Sequence, residues 1–399
     1  MRILKFIGVF LGTLILTFFV VFGFNLDALK TLYNNSGDLQ EGQKWVSKAT
    51  SLKGLTQYIG SNPQHSTIVS RSVSNPDTTI AYRADNPRTM GTLSNFFLIA
   101  TYARLVENGQ IDPNALISLD KTDRFLLPYI DESHHDDAKT ALQNRDLVTN
   151  EGQAPLNELL QVAIIYNDLA ISDFLYYKLG QQVINETFDL LELTSTDRPL
   201  PFSGLYITLH PDLAKDEFDT HFEKLSALSK SKFQAKVLNN ANRFRTDDAF
   251  HNRVTKLFEE EQGLGIGFKE RRNILSLFPK STGQELTELM IQLEQNKLIS
   301  ASVSERIKGM MDWPYQEQGL NNDFEYYGAL YDNRLGLLNG IDYGASVYSG
   351  EPFGQAVFFD SLQVAFWFHM SSNLMHQDYQ QRMMWDPALR QATLQEISK

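Results

Sequence analysis

A hydroxyl at the opening of a helix is well placed to attack a carbonyl, and this chain has two of them close together. In the stretch Ala81 to Gln110, AYRADNPRTMGTLSNFFLIATYARLVENGQ, a strand and a tight turn lead into an amphipathic helix. Leu98, Ile99, Tyr102, Leu105 and Val106 recur at helical spacing and Gly109 ends the run, so the helix is predicted to start near Thr92. Residues at i and i+3 share one helical face, so a nucleophile at Thr92 would need its base at position 95. Asn95 accepts a proton poorly and carries no charge, and the methyl group of Thr92 crowds an attacking trajectory. The expected role of Thr92 is therefore to cap the helix by accepting a backbone N–H. Ser94 is the second hydroxyl. Reading from Ser94 puts Phe97 at i+3 and again supplies no base.

The same stretch resembles, without a gap, the segment of class A β-lactamases and related penicillin-recognising serine hydrolases in which a strand ending A-W-R-A-D leads into the helix carrying S-x-x-K. The motif Ser and Lys of that family fall on Thr92 and Asn95. A second family element, S-D-N, falls on Asn167-Asp168-Leu169 within AIIYNDLAISDFLYYKLG. By that resemblance Asn167 stands where a hydroxyl relays a proton, and Leu169 stands where an amide contacts substrate. Only Asp168 matches, with an expected structural role in bonding backbone amides between two helices. The third element, K-T-G, falls on Arg334-Leu335-Gly336 at an edge-like strand, with Gly344 on the next. Arg334 retains a cation able to hold a ligand carboxylate by a two-pronged hydrogen bond, and Gly336 would admit a ligand backbone. The alternative for Arg334 is a surface ion pair.

Lys280-Ser281-Thr282-Gly283 resembles K-T-G with one insertion, but Pro279 precedes it and Thr282 with Glu285 has capping-box spacing, which predicts a helix start. The family's deacylating Glu has no counterpart in TSTDRPLPFSGLYITLH, whose only acid is Asp197. In coupled catalytic sites the loss of nucleophile or base alone costs on the order of 10⁶ in rate. The resemblance therefore implies the family's fold, an α/β (α+β) arrangement with an antiparallel sheet flanked by helices beside an all-helical subdomain, and impaired hydrolysis. Binding of a cell-wall peptide or an envelope protein is the leading expectation. The alternative is a divergent hydrolase acting through Ser94 or Thr92.

The elements that must position these residues follow from patterning. HSTIVSRSV and TTIAYRA flank a Ser74-Asn75-Pro76-Asp77 turn and predict a β-hairpin. Asp131 to Asp137, DESHHDD, reads as a solvated loop, since adjacent residues on a loop rarely converge on one ion; no metal or cofactor is expected. Residues 206–280 read as a helical insertion, with Lys224, Lys230, Lys232, Lys236, Arg243 and Arg245 on a charged face and Gly263, Gly265 and Gly267 as a hinge. Leu286, Leu289, Met290 and Leu293 form a helical stripe. FEYYGALYDNRLG, DYGASVYSG, QAVFFD and LQVAFWFHMS read as strands, and residues 376–399 as a terminal helical segment.

With 399 residues, 42% apolar and 12% aromatic, the chain can build a sizeable core. A net charge of -12 argues against nucleic acid as a partner. MRILK precedes an uncharged run, Phe6 to Phe24, of about 19 residues spanning roughly 28 Å, enough for one membrane crossing. Arg2 and Lys5 would stay cytoplasmic and the bulk would face the periplasm, anchored in a bacterial inner membrane. Phe22-Gly23-Phe24 offers no small-x-small cleavage pattern, which favours an anchor (1–28) over a signal peptide. Residues 29–62 read as a stalk, and 63–375 as the main domain around its insertion. The absence of cysteine excludes disulfides and thiolate metal sites.

Overall fold

The protein is described here by a computed structural model that covers residues 36–75, 78–318 and 323–399. The expected anchor lies outside the described residues. Among the described residues no helix is long and apolar enough to cross a membrane.

The strands are β1 (Ser66–Ser72), β2 (Ile80–Tyr82), β3 (Arg88–Thr89), β4 (Leu116–Ser118), β5 (Gln153–Pro155), β6 (Lys280–Ser281), β7 (Phe324–Asp332), β8 (Leu338–Ser346) and β9 (Pro352–Phe359). Five of them form one antiparallel sheet in the order β2-β1-β9-β8-β7, while β3 pairs with β6 and β4 with β5. The fold is thus a mixed α/β arrangement, with the hairpin β1–β2 as its sequence predicts. Along β9, Ala356 and Phe358 join the core on one face while Val357 and Phe359 join the core on the other, the period-two alternation of a pleated strand. Helices cover both faces, so β8 and β9 are buried almost throughout.

One face carries α3 (Asn95–Glu107), α5 (Leu156–Ile165), α6 (Leu169–Leu179), α7 (Gln181–Leu190), α13 (Gly283–Glu294) and α14 (Ala301–Gln318), whose apolar side chains share a core with Ile341, Tyr343 and Phe358. Helix α4 (Glu132–Asn144) packs beside α5. The Leu286, Leu289, Met290 and Leu293 stripe of α13 lies against the sheet, and Thr282 caps that helix by accepting the Glu285 N–H.

The other face is covered from both ends of the chain. Helices α1 (Ser36–Lys48) and α2 (Leu52–Ser61) pack with α15 (Val364–Ser372), α16 (Met375–Trp385) and α17 (Pro387–Ile397). Trp45 meets Tyr58 edge-on at 5.0 Å between ring centroids, and Tyr58 lies 4.5 Å from Phe366. The described part of the expected stalk, residues 36–62, is therefore docked on the domain rather than standing off it. LQVAFWFHMS is also corrected: residues 364–372 are helical, because Phe366 and Met370, four apart, supply one buried face. Its aromatic content mimics a strand when read without the i, i+4 pair.

Most of the segment expected as an insertion, 206–280, is helical, and α8 (Phe202–Leu209) runs into it. It continues through α9 (Phe218–Ser226), α10 (Lys230–Thr246), α11 (Asp248–Glu260) and α12 (Phe268–Ile274) around Val237, Phe244, Val254 and Phe258. Its basic face is largely paired: Lys224 meets Asp216, Lys230 meets Asp197, Arg243 lies 4.0 Å from the Phe250 ring and Arg245 lies 4.8 Å from that of Tyr177. Asp173 of α6 ties α8 to the body, accepting the N–H groups of Phe202 at 2.6 Å and Ser203 at 2.7 Å. Burial pushes that carboxyl up to about 7.

Candidate functional site

Three separated segments converge where β7 ends. Gly91, with φ of +56°, opens a 3₁₀ turn that runs to Ser94 before α3 begins. A Cβ at Gly91 would fall 1.6 Å from Asp332 Oδ2, so only glycine leaves room for that carboxylate. Asp332, the last residue of β7, accepts the Thr92 N–H at 3.1 Å through Oδ2 and the Arg334 N–H at 3.1 Å through Oδ1. Burial raises its carboxyl above the ordinary range, opposed by Arg334.

Thr92 is buried, and its hydroxyl is not a helix cap. Oγ1 donates to Asn167 Oδ1 at 2.6 Å. Asn167 adopts a left-handed φ of +53°, which asparagine tolerates, and this turns its carbonyl toward Arg334, which donates to it at 2.5 Å. The residues matched to the three motifs therefore do meet, through Asn167. Ser94 and Asn95 point elsewhere: Ser94 Oγ donates to the Gly91 carbonyl at 2.8 Å, and Asn95 Nδ2 donates to Ser172 Oγ at 2.9 Å.

Arg334 lies in the turn just beyond β7 rather than within a strand, and it is buried, which removes the surface ion-pair alternative. One guanidinium nitrogen reaches Asp131 Oδ1 at 3.0 Å, and Asp131 Oδ2 accepts the Leu169 N–H at 2.5 Å. Arg334 Nε is buried without a hydrogen-bond partner. Gly336, with φ of +86°, is already approached, though by this chain itself: a Cβ there would stand 2.7 Å from Arg272 Cγ. Arg272 pairs with Asp38 of α1 at 2.5 Å.

Asp168 is the N-cap of α6, accepting the Ile171 N–H at 2.8 Å, and its other oxygen meets His135 Nδ1 at 2.7 Å. His135 Nε2 meets Asp123 Oδ1 at 2.8 Å. Burial alone would depress this imidazole, but the carboxylates of Asp168 and Asp123 outweigh it and raise His135 to about 9, so the ring is an imidazolium at neutral pH. The predicted solvated loop is thus corrected: 132–144 is α4, and Asp131 and His135 are among the most deeply buried polar groups. Their signal was present in the sequence, since Asp131, His135, Ala138 and Leu142 fall at i, i+4, i+7 and i+11. Asp197 is a clamp as well, accepting the Lys280 N–H at 3.0 Å beside its ion pair with Lys230.

A cavity of about 230 Å³ adjoins Arg334. Its walls come from the insertion (Tyr206, Leu264, Arg271, Ile274), the β7–β8 turn, the segment at Tyr129 to His134, and Trp367 of α15. Thr92 is not part of its lining. Sequence reasoning missed Asp131, His135 and Asp332, which gain their roles from partners far away in the chain, and Arg271, which packing places at the cavity.

Comparison of the sequence with protein-family models and with curated proteins gives no match. Among solved structures, the chain is similar to a β-lactamase from Sphaerobacter thermophilus DSM 20745, at 11% identity and a TM-score of 0.48 over 87% of this chain and 97% of that one. It is similar to PBP-A, solved as an acyl-enzyme complex with penicillin G, at 10% identity and a TM-score of 0.47 over 84% and 97%. A β-lactamase from Chitinophaga pinensis DSM 2588 gives 13% identity and a TM-score of 0.46 over 88% and 99%. These are proteins of the class that the sequence resembles.

Proposed function

We propose that this chain is a β-lactamase-like protein of the bacterial envelope that binds a ligand without hydrolysing it, held at the inner membrane by its first 28 residues with its bulk in the periplasm. The observation that carries the reading is the bond from Thr92 Oγ1 to Asn167 Oδ1 at 2.6 Å. A neutral amide oxygen holds the proton of the would-be nucleophile and cannot take it up as a general base does. Asn95, at the i+3 position, is committed to Ser172. Asp332 adjoins Thr92 as well, accepting its N–H and standing within reach of its hydroxyl, while both its oxygens also hold the backbone N–H groups that fix the turn. The apolar run from Phe6 to Phe24 with Arg2 and Lys5 before it supports the location. Cell-wall peptides and envelope proteins are the partners such a location offers.

The test is intact-mass analysis of the full chain after incubation with a penicillin and with an activated ester, beside Thr92→Ala and Ser94→Ala. No adduct is expected under conditions that label an active β-lactamase. An adduct lost in Thr92→Ala or Ser94→Ala would overturn the reading in favour of a divergent hydrolase.

A further inference from the structure

Arg271 is a cation that meets no anion among the described residues. It projects from α12 into the wall of the 230 Å³ cavity, and its one hydrogen bond runs from Nε to the Ile266 carbonyl at 3.2 Å. Among the described residues no carboxylate lies within ion-pair distance of it, although its neighbour Arg272 is paired with Asp38. Burial pulls its guanidinium below the usual range, with Tyr206 the neighbour that opposes this. Arg271 is half-buried, so it loses part of its hydration without gaining a counter-charge among the described residues. Arg334 borders the same cavity with a buried, unpartnered Nε, its charge already shared with Asp131 and Asp332. The Tyr206 side chain lines the same cavity and makes no hydrogen bond among the described residues.

The rest of the wall is mixed: Ile130, Leu264, Ile274, Leu275, Leu335 and Trp367 are apolar, while Tyr129, His134, Asn333 and Ser371 add polar groups. An engineered apolar cavity of about 150 Å³ accommodates benzene, so this volume has room for one ring or a short aliphatic group and a charged head.

We infer that the cavity between α12 and the β7–β8 turn is a binding site for a small organic anion, a carboxylate or phosphate head bearing a compact apolar group, with Arg271 as its counter-charge. The inference rests on the reading of the chain as a binding protein. It differs from the motif-derived expectation in one respect: the principal cation comes from the insertion and not from the K-T-G position. Arg334 adds a second guanidinium to the lining, and the apolar residues select for a hydrophobic arm. The net acidity of the chain does not oppose this, because the local field is set by the two guanidinium groups and only one of them is paired.

The experiment is isothermal titration of the full-length chain, in detergent micelles, with phenylacetate, phenyl phosphate and the uncharged phenylacetamide. At least one anion is expected to bind and phenylacetamide is not; which anion binds identifies the head group as carboxylate or phosphate. Arg271→Met should weaken binding by about 30-fold or more, while Arg271→Lys retains part of it. The unliganded Tm of Arg271→Met should be unchanged or raised, since methionine removes a desolvated cation without leaving a hole. Silent titrations with both anions, equal binding of phenylacetamide, or unaltered affinity in Arg271→Met would each overturn the inference. An acyl adduct at Thr92 in the mass experiment would remove the binding-protein reading while leaving these titrations standing. Silent titrations without an adduct would remove the cavity assignment alone.

Discussion

Arg271 and Arg272 are adjacent in sequence and opposite in circumstance: Arg272 crosses over Gly336 to pair with Asp38 at 2.5 Å, while Arg271 faces the cavity with no ion-pair partner among the described residues. One turn of α12 thereby closes the place where a ligand backbone would lie beside Gly336 and opens another.

Gly336→Ala should cost more than 1 kcal/mol, in order of magnitude, because its φ of +86° suits glycine and the new Cβ would meet Arg272 Cγ at 2.7 Å. The displaced Arg272 would release Asp38, so limited proteolysis should cut within Ser36–Lys48 faster than in the parent. Unchanged cleavage would show that α1 docks without this pair.

His135 makes stability depend on pH with a definite sign. Its folded-state pKa of about 9 lies above the ordinary 6.5, so its contribution is fully present below pH 6.5 and is lost as pH rises through about 9. Urea unfolding should show stability falling across that window by ~3 kcal/mol from this group. His135→Gln should be destabilised by about 3–5 kcal/mol at pH 6, since Asp168 is left buried without its cation. The slope between pH 6.5 and 9 should flatten in that variant; a persisting slope would assign it elsewhere.

Asp173→Ala removes the acceptor for two buried N–H groups at the start of α8, at an expected cost of about 2–4 kcal/mol. Hydrogen exchange should accelerate over Phe202–Leu209 before it does so in α6. Uniform acceleration would mean that the insertion and the body unfold together.

Arg334→Met should cost about 3–5 kcal/mol by chemical denaturation, because Asp131 then keeps its charge in a buried site with no guanidinium. The paired variant Arg334→Met with Asp131→Leu should recover much of that loss. No recovery would place the value of Arg334 in its bond to the Asn167 carbonyl instead.

Local pattern carried the elements whose partners are near in sequence. The β1–β2 hairpin, the helix after Thr92 and the Thr282 cap follow from β-branched alternation, 3.6-residue spacing and a Thr-x-x-Glu run, each complete within a short window. The motif positions were legible by resemblance, and Asn167 does join Thr92 to Arg334. What those side chains do was not legible. Arg334 reads as a surface cation until Asp131, on a distant segment, is known to meet it, and a run of charges such as DESHHDD looks solvated until its i, i+4 face is matched to Asp168. The docking of 36–62 was hidden for the same reason, since its apolar partners are on α15 to α17.

The pairing of β1 with β9 sets an order of events during synthesis. Ser66 to Ser72 find their central partner only when Phe353 to Phe359 have been made, so the sheet cannot close while the chain is still growing. Until then β1 has one short neighbour, β2, and its other edge offers unpaired N–H and C=O groups to any passing strand. A chain with so distant a closure folds late and slowly. How long that edge stays open to other chains is therefore a property of the strand order.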